Sequence, residues 1–207
     1  MSLPLRARAL VSLAVALVLT AAGVGLGVVL HSSTPKKSAT PTPEDLAEVD
    51  TSTLVVQRAN FCSGVSDDAV STALGGVATD ATSYDDGDKV RLSAEVKDIV
   101  QEYGCTWSGP RKTEAKAWVF APPVTRGWAT SLAKNVPDGC EQLTGPAYGD
   151  PSVTYQCTTR KRVTVSLRGL FGDAWLSCDL TGTRGEEVDR VAARARQFCL
   201  AAAVAAT

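Results

Sequence analysis

From about Leu54 to the C-terminus the chain alternates stretches of period two with a few of helical period. In Val90–Val96 the residues Val90, Leu92, Ala94 and Val96 are apolar, and Arg91, Ser93, Glu95 and Lys97 interleave with them. That pattern is a strand with one buried face. Further strands are expected at Tyr103–Trp107, Ala115–Ala121, Val153–Thr158, Arg162–Leu170 and Ala174–Thr181. The later ones are separated by turns short enough for antiparallel hairpins.

Three helices interrupt these strands. The first opens at Ser66, with Asp67 and Asp68 near its positive end and Val65 placed to staple onto Val70, and it closes at Gly75-Gly76. The second spans Thr125–Val136, where Trp128 and Leu132 are four apart and Pro137-Asp138-Gly139 supplies the stop. The last has Thr183 and Glu186 at capping-box spacing, and Val188, Val191, Ala192, Ala195, Phe198, Cys199 and Ala202 on one face. Strands and single helices without a regular β-α-β order predict an α+β domain: an antiparallel sheet of four to six strands with helices packed on it.

The N-terminal part reads differently. Ala9–Leu30 carries no charge and as a helix would cover roughly 33 Å, enough for a hydrocarbon core about 30 Å thick. A cleaved signal peptide competes, with Arg6 and Arg8 before the apolar run and Thr20-Ala21-Ala22 as its small-residue site; the eight further apolar residues beyond Ala22 favour an uncleaved anchor. Residues 31–52 are rich in Ser, Thr, Pro and charge and read as a semi-stiff stalk. The expected organisation is a cytoplasmic N-terminus at 1–8, a transmembrane anchor at 9–30, a stalk at 31–52 and an extracytoplasmic domain at 53–207. Arg6 and Arg8 are balanced by Lys36 and Lys37, so the cysteines set the orientation.

Those six cysteines, Cys62, Cys105, Cys140, Cys157, Cys178 and Cys199, contain no C-x-x-C pair and read as a disulfide set of an oxidising compartment. The single histidine, His31, lies outside the expected domain, which excludes Ser-His-Asp and Cys-His catalysis and most zinc sites there. With 21 basic and 22 acidic residues, no global field favours nucleic acid. Asp67, Asp68, Glu141, Asp173 and Asp179 are the carboxylates open to acid–base work, but no motif pairs any two of them. Asp85, Asp86 and Asp88 around Gly87 read as a solvated turn rather than a calcium loop. No catalytic, cofactor or metal site is expected. Arg160-Lys161-Arg162 with Arg168 forms a basic patch at a hairpin tip. Trp107, Trp118 and Trp175, with Leu170 and Phe171 at a turn, are the candidate binding surface.

Tyr103-Gly104-Cys105-Thr106 leading to Arg111-Lys112 resembles Tyr155-Gln156-Cys157-Thr158 leading to Arg160-Lys161-Arg162. If the halves are copies, the parsimonious pairing is Cys62–Cys105, Cys140–Cys157 and Cys178–Cys199, one of fifteen connectivities open to six cysteines.

Cys62 before a Ser-capped helix ending in Leu74-Gly75, followed by Cys105-Thr106-Trp107 on a strand, resembles a broad group of actinobacterial secreted lipoproteins and membrane-anchored envelope proteins of unknown function. The resemblance covers about Asn60–Pro122 and implies an envelope location and an α+β fold, without an active site. The chain departs from the group in having no cysteine near the apolar segment to carry a lipid. The expected function is a membrane-tethered extracytoplasmic module that binds an envelope protein or a wall polymer. A carrier of a lipid or other apolar ligand is the alternative, and a carboxylate-based enzyme stands behind both.

Overall fold

The alternating segments pair into one antiparallel sheet. The structure, a computed structural model, describes residues 45–91 and 97–207. The expected segments 1–8 and 9–30, and the stalk as far as residue 44, lie outside them. Among the described residues no helix is long and apolar enough to cross a membrane.

The strands are β1 (Asp80–Tyr84), β2 (Lys89–Arg91), β3 (Lys97–Ile99), β4 (Glu102–Ser108), β5 (Glu114–Phe120), β6 (Cys140–Gln142), β7 (Ser152–Thr159), β8 (Arg162–Phe171) and β9 (Ala174–Thr181). Seven of them form a sheet in the order β1-β4-β5-β9-β8-β7-β6, one more than the upper bound expected, and β2 pairs with β3 alone. The edge strands β1 and β6 are short and largely exposed, so they show no apolar alternation. The single strand expected over Val90–Val96 is a correction. Arg91 lies opposite Lys97 in an antiparallel pair, whereas one continuous strand would hold them roughly 20 Å apart.

The helices are α1 (Asp67–Leu74), α2 (Arg126–Lys134) and α3 (Val188–Ala205). Ser66 caps α1 by accepting from the Ala69 N–H, and Gly75 ends it in the left-handed conformation at φ +68°. Thr125 caps α2 through the Trp128 N–H. Thr183 does not cap α3, which starts after Glu187. Gly185 at φ +78° breaks the helical path, and Glu186 instead accepts from the Thr183 N–H at 2.8 Å within the preceding turn.

The α3 face predicted from its periodicity is buried against the sheet. Trp107 meets Phe198 edge-on at 5.6 Å, and Cys178 on β9 is bonded to Cys199. All six cysteines are paired, as Cys62–Cys105, Cys140–Cys157 and Cys178–Cys199. Leu200, Ala201 and Ala203 are buried too, because α1 and the segment before it cover the far side of α3, where Gln57 donates to the Ala206 carbonyl. The other sheet face is covered at one end by α2, over Leu170 and Trp175.

The folded part begins earlier than residue 53. Leu46 is 1% exposed, and the Thr51 hydroxyl donates to the Ala147 carbonyl and accepts from the Gly149 N–H. Leu46 and Val49 are the large apolar residues of the expected stalk, and both pack on the core.

Candidate anion-binding site

Two hairpin tips and the β9–α3 connection meet at one end of the sheet. In the β7–β8 hairpin Thr159 pairs with Arg162, leaving Arg160 and Lys161 as the two-residue tip at φ 49° and 65°. In the β4–β5 hairpin Thr113 N–H donates to Pro110 O at 3.1 Å around Arg111 and Lys112, at φ 54° and 63°. Two successive positive φ values are the geometry that matches strand twist in tight hairpins, and Asn-Gly is its usual sequence. A non-glycine residue there costs on the order of 1 kcal/mol. Here all four positions are basic.

The tips are tied together. Arg162 donates from Nη1 to Lys112 O at 2.6 Å and from Nη2 to Arg111 O at 3.3 Å. Gly185 N–H donates to Lys161 O at 2.7 Å, which places Arg184 beside the second tip. Arg190 and Arg194 follow on α3, and Arg194 bonds the Ala73 carbonyl and, at 2.6 Å, Glu186. Burial works to raise the Glu186 carboxyl, but the Thr183 N–H, Arg194 and the Thr183 hydroxyl outweigh it and hold it below its ordinary value.

Three contiguous clefts result. One of about 850 Å³ is walled by Lys112, Arg160, Lys161, Arg162 and Arg184; one of about 640 Å³ by Arg111, Arg184, Arg190 and Arg194; one of about 410 Å³ shares Lys112 and Arg162 with the first. The ion pairs among the described residues are Arg58–Asp173, Lys116–Glu114, Arg126–Asp150 and Arg194–Glu186. Arg111, Lys112, Arg160, Lys161, Arg184 and Arg190 are therefore exposed, and Arg162 half-buried beneath them, without a carboxylate partner among the described residues. In a chain of formal charge −1 this is a segregated cationic end, able to hold several anionic groups at once.

The apolar surface expected from the sequence does not form. Trp107 is 8% exposed, Leu170 5%, Trp175 2% and Phe171 1%, all within the core. Leu170 and Phe171 end β8 and point to opposite layers, since the turn is Gly172-Asp173 alone. Only Trp118 keeps a half-buried place, on the sheet face opposite α3. There the Arg168 guanidinium stacks 5.0 Å from the Tyr155 ring and 6.0 Å from that of Trp118. Arg168 therefore leaves the basic patch expected for it, six strand residues or roughly 20 Å from Arg162.

Next to this stack burial pushes the Asp179 carboxyl up, opposed by the Ser166 hydroxyl, Arg168 and Lys116. Asp179 Oδ1 and Arg168 Nε are enclosed and make no hydrogen bond among the described residues.

The carboxylates lie apart: Asp67 and Asp68 at the start of α1, Glu141 on β6 bonded to Gln156, Asp173 paired with Arg58, and Asp179 on β9. Asp85 and Asp88 close their own turn, with Asp88 Oδ2 accepting from the Asp85 N–H. No group of three or more His, Cys, Asp or Glu able to hold a metal occurs among the described residues.

Sequence reasoning missed Arg184 and Arg190 as members of the basic end, and left Arg111-Lys112 as half of a weak repeat. The repetition was itself the available signal, because equal basic pairs before matching strands become neighbouring tips once β4 and β7 run parallel in one sheet. The likeness stops there. By register Cys105 lies on the α3 face and Cys157 on the opposite one.

No protein family matches the chain, and no curated protein does. A solved structure described as a GTP binding regulator from Thermotoga maritima is similar in outline, at 11% identity and a TM-score of 0.29, over 69% of this chain and 95% of that one. A likeness so slight has no bearing on the site.

Proposed function

We propose that this protein is a membrane-tethered module of the cell envelope whose extracytoplasmic domain binds an anionic envelope component through its basic end. The carrying observation is the set of seven cations, five on three connections and Arg162 and Arg190 just beyond them on β8 and α3, unpaired with carboxylates among the described residues and in part mounted on strained tips. Natural hairpins avoid such residues unless something offsets the strain. Three disulfides support an oxidising compartment, and the uncharged run Ala9–Leu30 supports the tether. The alternative of an apolar carrier has less support. Phe198, Val191 and Ala195 on α3 and Leu167, Leu176 and Leu180 on the sheet are all unexposed members of one core, and the three clefts described above are lined mainly by cations and hydroxyls, with Glu114, Glu186, glycines and one alanine.

The test is recovery of the intact protein from its native membrane with envelope material crosslinked to it, beside a variant carrying Arg160→Asn and Lys161→Gly. Salt-sensitive recovery that drops in the variant supports the reading. Equal recovery by both proteins removes the basic end as the binding surface. Protease added to intact spheroplasts should cut before the disulfide-closed domain and release it; protection until lysis would place the domain in the cytoplasm.

A further inference from the structure

We propose that the ligand is a polyol phosphate chain, a flexible polymer whose phosphodiesters lie across the three clefts; this rests on the reading that the basic end is the binding surface. The clefts share Arg184, Lys112 and Arg162 as common walls, so their cations form a continuous track rather than one pocket. A single small anion would occupy one cleft and leave the others unanswered. Repeated charge on a strand answers all three.

The lining decides the kind of strand. It consists of Arg, Lys, Thr, Ser, Gly, two glutamates and one alanine, with no aromatic and no branched aliphatic residue. Nucleic acid single strands are held by bases stacked on aromatic side chains, and these clefts have no such platform. A peptide side chain or a sugar face finds no apolar seat either. A phosphodiester polymer carries its charge in the chain itself, so a strand laid in the groove brings every phosphate to the floor. The guanidinium forks of Arg160, Arg184 and Arg190 suit phosphate oxygens, and Thr159 and the free proton of the Thr164–Thr181 hydroxyl pair, bonded to each other at 2.9 Å, serve those that remain.

A lipid headgroup brings one isolated phosphate to one cleft, whereas the polymer answers all three. Thr51 is bonded to Ala147 and Gly149, and the Asp150 N–H donates to the Leu170 carbonyl, so residue 51 packs at the Phe171 end of β8. The basic tips lie at the Arg162 end. Nine residue steps along β8, roughly 30 Å, separate the two ends.

The experiment uses the full chain in phosphatidylcholine nanodiscs with a synthetic glycerol phosphate oligomer as probe. Polyglutamate of equal charge, oligodeoxythymidylate of equal phosphate count and phosphatidylglycerol vesicles are the comparisons. Arg160→Asn with Lys161→Gly, and Arg111→Asn with Lys112→Gly, each remove two charges and install the preferred tip sequence, so weaker binding cannot come from a failure to fold. Each pair should weaken oligomer binding roughly tenfold, with an unchanged or higher melting temperature. The slope of log affinity against log salt should fall by about one for each phosphate left without its cation. Equal affinity for polyglutamate, tighter binding of the oligonucleotide, or vesicle binding with which the oligomer does not compete each overturns the proposal. If the variants lose envelope recovery while the oligomer fails to bind, the basic end stands and the phosphodiester falls; if the variants change neither, both fall.

Discussion

Arg162 Nη1 donates to the Lys112 carbonyl oxygen at 2.6 Å, joining the tips of two hairpins that are not neighbours in sequence. The guanidinium serves as a strut, because one planar group reaches both the Lys112 and the Arg111 carbonyls. Arg162→Ala should cost about 1 kcal/mol by urea denaturation and speed amide exchange around Thr113. Arg162→Lys keeps the charge but lacks the fork, so it should recover less than half of that stability. Equal exchange in all three proteins would show that the strut is idle.

A second close approach fixes the opposite end. A Cβ added at Gly169 would lie 1.5 Å from the Tyr148 carbonyl oxygen, where the 146–151 loop crosses β8. Backbone cannot retreat as a side-chain tip can. Gly169→Ala should destabilise by about 3 kcal/mol or more, whereas Gly127→Ala in α2, with nothing within 4 Å of its Cβ, should be neutral or gain up to about 1 kcal/mol. Similar melting curves for the two variants would contradict the crossing.

The disulfides differ in access. Cys178 and Cys199 are fully buried, while Cys140 and Cys157 are partly exposed on the β6 edge. Mild reductant followed by alkylation and mass mapping should label Cys140 and Cys157 first and leave Cys178–Cys199 intact. Replacing Cys178 and Cys199 together should cost about 3 kcal/mol, from the 21-residue separation they close. Without reductant no cysteine should be labelled, and two or more labelled would contradict the pairing.

Two carboxyls should give stability opposite slopes with pH. Glu186 is held below its ordinary value, so its contribution is present above the ordinary glutamate range and is lost as pH falls through the lowered value. Its side chain is 14% exposed and that of Arg194 20%, so Glu186→Gln should cost about 1 kcal/mol at neutral pH and nothing in acid. Asp179 is pushed up, so its proton favours the folded state: that stability is full below the ordinary value of 3.8 and is lost as pH rises through the raised one. Urea titrations from pH about 3 to about 7 should show Asp179→Asn removing the second slope and Glu186→Gln the first. A variant that leaves the pH profile of the native chain unchanged refutes the shift assigned to its residue.

Local pattern was enough for much of this molecule. The period-two runs at Ala115–Ala121 and Ala174–Thr181, the Ser66 cap, the Gly75 stop and the apolar face of α3 are statements about residues two to four apart, and the sheet and helices that follow from them are present. The edge strands β1 and β6 were not legible, since exposed strands have no buried face to impose alternation. The tryptophans misled because strand phase says that a residue faces one layer but not whether a helix covers it; α2 lies over Trp175 and leaves Trp118 beside Arg168. By itself the sequence determined the three helices, the interior strands β4, β5, β7, β8 and β9 and that the six cysteines form a disulfide set, because these depend on short-range backbone geometry and on composition. Only the tertiary structure decided that Arg111, Lys112, Arg160, Lys161, Arg162, Arg184 and Arg190 share one end. Electrostatic potential sums over distance in space, and residues as far apart as 111 and 190 become neighbours only when β4, β7 and β9 enter one sheet.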